Sequence, residues 1–182
     1  MNEKKLYFIA IIPNLELRDK IQKIKEEVSM RYKAKHALKS PPHITLQMPF
    51  KKDESIERAL VQELAQFAAE QHPFNVDLLG FGCFAPRVLY IKVVNHAPIT
   101  ELQAKLEKTL EEKVNFDPKE ITKEVHPHVT LATRDLTSHK FHLAWDKYKE
   151  QAFNNTFTVN SIFLLKHNGK CWDIYREFCF NA

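Results

Sequence analysis

Apolar residues along this chain fall into short blocks whose spacing switches between strand and helix periods. Leu6–Ile12 is an unbroken apolar run that stops at Pro13, the mark of a buried strand. Leu17, Ile21, Ile24 and Val28 then recur at helical spacing, with Asn14 placed to cap the helix. Pro41-Pro-His-Ile-Thr-Leu46 predicts a short strand, because a proline biases the residue before it towards extended geometry. A second helix presents Ile56, Leu60, Leu64 and Phe67 on one face, with Asp53 as its expected cap. Phe74–Phe84 and Val88–Val94 read as a hairpin that turns at Ala85-Pro86.

The order then repeats. Tyr90–Val94 is a strand, and Pro98 opens a helix with Ile99, Leu102, Leu106 and Leu110 as its apolar stripe. Pro127-His-Val-Thr-Leu131 is a second short strand, followed by a helix carrying Phe141, Trp145 and Tyr148. Strands Thr156–Lys166 and Cys171–Phe178 close the chain around Asn168-Gly169, a strong hairpin signal. His43 and His128 are 85 residues apart, Phe74 and Phe157 are 83 apart, and so are Tyr7 and Tyr90. Three landmarks at nearly one spacing indicate a duplicated unit. The predicted fold is α+β and bilobal: duplicated β-α-β-α-β units form two antiparallel sheets around a central cleft, with helices outside. One domain is expected over 1–182, with pseudo-repeat lobes at about 5–84 and 88–180. No Ser/Gly-rich linker separates them, so intimate contact is expected and strand exchange between lobes is allowed.

Composition narrows the chemistry. The 182 residues carry 27 Lys+Arg against 23 Asp+Glu, a net charge of +4. That balance favours anionic ligands but falls short of a dedicated nucleic-acid binder. Only three glycines occur (Gly80, Gly82, Gly169), where an average chain of this length holds about a dozen. Glycine-rich phosphate loops are thereby excluded, and phosphate chemistry would fall to side chains. Cys83, Cys171 and Cys179 are widely spaced without a CxxC pair, which supports neither a disulfide framework nor a zinc knuckle. A reducing, cytoplasmic setting is the natural expectation. The Leu6–Ile12 run is too short to span a bilayer, so no membrane partner is expected.

The chemistry concentrates in one repeated pattern. Pro42-His43-Ile44-Thr45-Leu46 and Pro127-His128-Val129-Thr130-Leu131 are the same five-residue motif at equivalent places in the two halves. A single His-x-Thr is ordinary and usually a core or strand-pairing histidine; the duplicated pair points to a site. On a strand, His and Thr at i and i+2 share one face, while Ile44, Leu46, Val129 and Leu131 face a core. Two such strands side by side would set two imidazoles and two hydroxyls across a cleft. One neutral imidazole takes a proton from an attacking oxygen and the other, protonated, gives one to a leaving oxygen. With an unperturbed pKa near 6.5, both forms exist close to neutrality. Thr45 and Thr130 suit the non-bridging phosphate oxygens, and no metal or other cofactor is needed.

The chain resembles the two-histidine (2H) phosphoesterases, also known as 2′-5′ RNA ligase-like or LigT-like proteins. The resemblance spans essentially the whole chain. It rests on both His-x-Thr-Leu motifs, the β-α duplication, and the stretches Phe84-Ala-Pro…Leu89-Tyr-Ile-Lys92 and Gly169-Lys-Cys-Trp-Asp-Ile-Tyr175, which are most similar to the bacterial YjcG-like subgroup. It implies a bilobal fold with His43, Thr45, His128 and Thr130 in its cleft. It also implies metal-independent action on 2′,3′-cyclic phosphates or 2′-5′ phosphodiesters of RNA or nucleotides, with 2′-5′ RNA ligation as a related activity.

Further candidates are read from position. Gln47 and Arg134 continue the parity of their His-Thr faces, and Lys92 is a charge among apolar strand residues, so all three are candidate substrate contacts. Lys33, Lys35, His36 and Lys39 lead into the first motif and Lys51-Lys52 leave it, a run that is a solvated face unless it draws a polyanion. Tyr7 and Tyr90 read as core. An RNA site calls for a base-stacking aromatic, but thirteen phenylalanines leave it unassigned. Two rivals stand beside the phosphoesterase reading. A metal-dependent hydrolase could use His126 and His128 as an H-x-H pair, although Pro41 occupies the matching place in the first half. A non-catalytic nucleotide- or RNA-binding module could use the same cleft. The expected partner is an RNA or nucleotide substrate, met by a monomer.

Overall fold

The computed structural model describes residues 4–123 and 126–181. In chain order the elements are β1 (Lys4–Ile11), α1 (Leu15–Tyr32), a 3₁₀ turn (His36–Lys39), β2 (Ile44–Asp53), a second 3₁₀ turn (Glu54–Ile56), α2 (Glu57–Ala69), β3 (Phe74–Phe84) and β4 (Val88–Val93). The second half adds α3 (Ala97–Val114), β5 (His128–Ala132), α4 (Ser138–Tyr148), β6 (Asn154–Val159), β7 (Ser161–His167) and β8 (Trp172–Cys179). The fold is α+β, with two four-stranded sheets in which every pair is antiparallel. Among the described residues no helix is long and apolar enough to cross a membrane.

Local chemistry accounts for most boundaries. The Asn14 side chain accepts a hydrogen bond from the Leu17 amide at 3.0 Å, and Lys33 ends α1 in a left-handed conformation, donating to Ser29. Asp53 does not cap α2. It ends β2, and a 3₁₀ turn intervenes before a helix that has no side-chain cap. The first motif strand also runs on to Asp53 instead of stopping at Leu46, because β1 pairs with it as far as Lys4. An edge strand tolerates Pro49, which has no amide to offer a further neighbour.

The sheets are interleaved along the chain. One has the order β2-β1-β7-β8, the other β5-β4-β3-β6. The sequence boundary at 84/88 therefore does not coincide with the boundary between sheets: β3 pairs with β4 and β6, while β7 and β8 join β1 and β2. The stretch Thr156–Lys166 is two strands, not one, and they belong to different sheets. Phe157 and Val159 are buried before Asn160, and Ile162 and Leu164 after it, so the inward parity flips at the break.

By position in their sheets β2 matches β5, β1 matches β4, β7 matches β3 and β8 matches β6. The tyrosines lie on corresponding strands, β1 and β4, but of the three landmarks only the histidine pair keeps the equivalent position and face. Phe74 and Phe157 lie on directly paired strands, where Val76 faces Phe157. Tyr7 and Tyr90 lie on opposite kinds of face. Ala10 faces Thr45 as Tyr90 faces Thr130, whereas Tyr7 is fully buried in the main core. That core joins both sheets and all four helices. A smaller apolar cluster, Phe8, Ala10, Ile12 and Leu165 with Trp172, covers the other face of the first sheet.

Gly82 is held by close packing. It pairs with Tyr90, and a Cβ there would stand 2.7 Å from Tyr90 Cζ and 2.9 Å from its hydroxyl. The ring cannot retreat freely, since it packs on Phe84 at 4.6 Å and on His128 at 5.0 Å between centroids. Gly82→Ala should lower stability by about 1–3 kcal/mol in urea unfolding, the usual range for overpacking; an unchanged midpoint would show that the ring shifts without cost.

Candidate active site

Strands β2 and β5 are the edges of their sheets, and each carries its motif with strict alternation. Ile44, Leu46, Val129 and Leu131 are fully buried, while His43, Thr45, His128 and Thr130 are half-buried and line one cleft of about 520 Å³. The four motif residues are thus brought together, two from each sheet. Each imidazole donates Nδ1–H to the carbonyl two residues upstream: His43 to Pro41 at 2.7 Å and His128 to His126 at 2.5 Å. A carbonyl only accepts, so the neutral ring carries its proton on Nδ1 and keeps the lone pair on Nε2. The two histidines are the same chemical device built twice.

Their electrostatics differ. Burial pushes the His43 pKa down to about 4; the bond to Pro41 opposes this, and the charges of Lys25 and His128 add to it. His128 is also lowered, by burial first and by the charge of His126, against the bond to the His126 carbonyl. Lys25 escaped the sequence reading. It sits on α1 among residues of the inward face, is 1% exposed, and donates Nζ–H to the Ser40 carbonyl at 2.6 Å. Burial pushes its pKa down to about 8. It fixes the segment whose next carbonyl, that of Pro41, orients His43.

The weaker candidates divide. Arg134 lines the cleft, just beyond the last β5 ladder pair of Ala132 with Leu89, in a left-handed backbone conformation with φ 59°. Gln47 does not reach the cleft. An irregularity in the β1–β2 ladder between Ile9 and Ala10 turns it inward, where it is 2% exposed. Its Nε2 donates to the carbonyls of Glu120 and Met48, and its Oε1 accepts from the Thr122 amide. Lys92 lies directly opposite His128 but extends over Gly80 and is not part of the cleft wall. Of the lysine run, Lys39 lines the cleft together with His36. Lys33, Lys35 and Lys51 are exposed, and Lys52 is paired with Glu120 at 2.6 Å. His126 lines the cleft beside Phe84, at 5.2 Å between rings. Among the described residues, no three His, Cys, Asp or Glu side chains converge as a metal site would require.

Aromatic side chains flank both histidines. Phe8 stands 4.9 Å from His43 and 4.6 Å from Trp172, and Phe84 stands 5.2 Å from His128. Sequence reasoning missed them, because Phe8 is hidden in a continuous apolar run and Phe84 sits at a hairpin tip. Strand parity is the signal that could have found Phe8, which alternates with the core-facing Tyr7 and Ile9.

The sequence model of the 2′-5′ RNA ligase superfamily matches residues 13–170. A candidate phosphoesterase of Geobacillus kaustophilus is 31% identical over 176 residues, covering 94% of each chain. Among solved structures, the TT0787 protein of Thermus thermophilus has a TM-score of 0.69 at 21% identity, over 96% of this chain and 97% of that one. E. coli LigT complexed with 3′-AMP has a TM-score of 0.65 at 16% identity, over 99% and 100%; LigT has also been solved with NADP⁺ and with ATP. At those identities the structures establish the shared fold, and the family match extends over most of the sequence. By its duplicated motif, its sheet topology and that match, the chain belongs to the 2′-5′ RNA ligase superfamily.

Proposed function

We propose that this protein is a metal-independent phosphodiesterase that opens 2′,3′-cyclic phosphates, or cleaves 2′-5′ phosphodiesters, of nucleotides or RNA. The observation that carries this reading is the twofold occurrence of one device in one cleft: an imidazole locked through Nδ1 to a carbonyl, with a threonine hydroxyl two residues on.

In this reading His43, the more enclosed ring, is the base. Its Nε2 takes a proton from the attacking water as the oxygen–phosphorus bond forms. His128, protonated, gives its proton to the departing ribose oxygen as the other bond breaks. Thr45 and Thr130 donate to the non-bridging oxygens, where negative charge builds in the transition state. With a 5′-hydroxyl in place of water, the same transfers join a cyclic phosphate end into a 2′-5′ linkage: the 5′ oxygen bonds to phosphorus as the ribose 3′ oxygen leaves and takes the proton. Trp172, backed by the buried Phe8, on one side and Phe84 on the other offer faces on which bases can stack. The nucleotides bound by LigT are consistent with such ligands.

Replacing either histidine by alanine should cut turnover of a 2′,3′-cyclic nucleotide by roughly 10²-fold or more. Thr45→Val or Thr130→Val should lower kcat by about 10²-fold with a smaller change in KM. Turnover in EDTA should match the untreated enzyme. Near-wild-type rates in either histidine variant would sink the mechanism.

The pH dependence has a definite sign. His43 must be unprotonated, which holds above its pKa of about 4, and His128 must be protonated, which holds below its own lowered pKa. The profile of kcat/KM should therefore be bell-shaped with its maximum on the acid side of pH 6.5, the unperturbed histidine value. A binding module would give no such profile, and a plateau extending above pH 8 would contradict the roles assigned here.

A further inference from the structure

The two ends of the cleft are built alike but charged differently. At each end the segment leaving one motif strand is bonded to the segment approaching the other. At the first end, on β2 beyond its motif, Gln47 is tied to Glu120 and Thr122, the Met48 amide donates to Thr122 Oγ1, and Lys52 further along is neutralised by Glu120. At the second end, after β5, Asp135 Oδ2 accepts the amides of Lys35 and His36 at 2.8 and 2.9 Å. That bond holds the loop after β5 against the turn before β2, and places Arg134, Lys39 and His36 on the same stretch of cleft wall. Arg134 and Lys39 are exposed, and among the described residues neither makes an ion pair. Their charges, after burial, hold the His36 pKa below its ordinary value, with Asp135 opposing. Among the described residues, no acidic side chain lines the cleft.

Like charges gathered on a concave wall repel one another unless an anion sits among them. The phosphate being cleaved lies between the two His-Thr pairs, whereas Arg134 leaves the chain beyond the end of the β5 ladder. Its guanidinium has the planar fork that matches phosphate oxygens. We infer that Arg134, Lys39 and His36 form a second anion site, which takes a phosphate of the substrate other than the one undergoing cleavage. The inference rests on the phosphodiesterase reading and names the substrate class within it: a 2′,3′-cyclic or 2′-5′-linked nucleotide that carries a further phosphate, such as one on its 5′ oxygen.

The test compares adenosine 2′,3′-cyclic phosphate with its 5′-phosphorylated form. In the wild-type protein kcat/KM should be about tenfold or more higher for the 5′-phosphorylated substrate, the size expected of a charge-assisted contact. Arg134→Gln, and Lys39→Gln combined with it, should bring the ratio to within about threefold of one, as should 0.5 M KCl. Calorimetric binding of adenosine 3′,5′-bisphosphate against 3′-AMP supplies a readout independent of turnover. If neither cyclic nucleotide is cleaved but the bisphosphate binds about tenfold tighter and Arg134→Gln abolishes the difference, this site stands and the phosphodiesterase reading falls. Equal turnover of the two substrates together with equal binding of the two ligands overturns the site.

Discussion

Two sheet edges must face one another across an open cleft without zipping together, and the rest of the structure answers that constraint. An unpaired edge exposes a row of amides and carbonyls that readily recruits another strand. Here the edge strands β2 and β5 carry the catalytic candidates on one face each, and the cleft between those residues needs the two strands held in place without pairing. Cross-ties at both ends do this: Gln47 and Met48 hold the segment around Thr122, and Asp135 holds the turn at His36. Interleaving does the rest. Because β3 crosses to the second sheet and β7–β8 return to the first, neither lobe can move away from the other without pulling a strand out of its sheet.

Elements were legible in the sequence wherever one periodicity ruled them. The α1 stripe with its Asn14 cap, the hairpin around Gly169 and both motif strands follow from spacing alone. Parity failures were harder to see. The strand through Asn160 looks continuous because both sides are rich in strand-forming residues, and only the shift from Val159 to Ile162 marks a change of sheet. The duplication was detected through its motifs, but its other landmarks misled. An aromatic 83 residues from another aromatic need not occupy the equivalent face of its strand, as Tyr7 and Tyr90 illustrate.

The site was legible to the same extent. Alternation on a strand brings His43 with Thr45 and His128 with Thr130, so these four needed only the two strands to meet. Gln47 satisfied the same parity rule and yet points away. One ladder irregularity rotates the chain after Thr45, and parity counting has no access to an irregularity set by the neighbouring strand. Lys25 could not be found by pattern at all. A lysine on the inward face of a helix reads as an error in the stripe until the Ser40 carbonyl that receives it is in place.

Near-symmetry of form with inequality of charge is what the proposed acid–base chemistry asks of this cleft. Two imidazoles with identical surroundings would titrate together, and at any pH the state with one neutral and one protonated would be shared equally between them. The fold duplicates the covalent parts, down to the Nδ1 bond onto the carbonyl two residues upstream, and then breaks the equivalence from outside. Lys25 lies behind His43 alone, and His126 presses on His128 alone. A buried cation is costly to keep unless it is hydrogen-bonded, and Lys25 directs its one identified bond to the segment that orients His43. A similar division recurs beyond the two motifs, where Lys52 is neutralised by Glu120 while Arg134 and Lys39 line the cleft without an ion pair among the described residues. In the proposed mechanism a duplicated frame would bring the reacting groups together, and the unmatched residues Lys25 and Arg134 would give the substrate one direction.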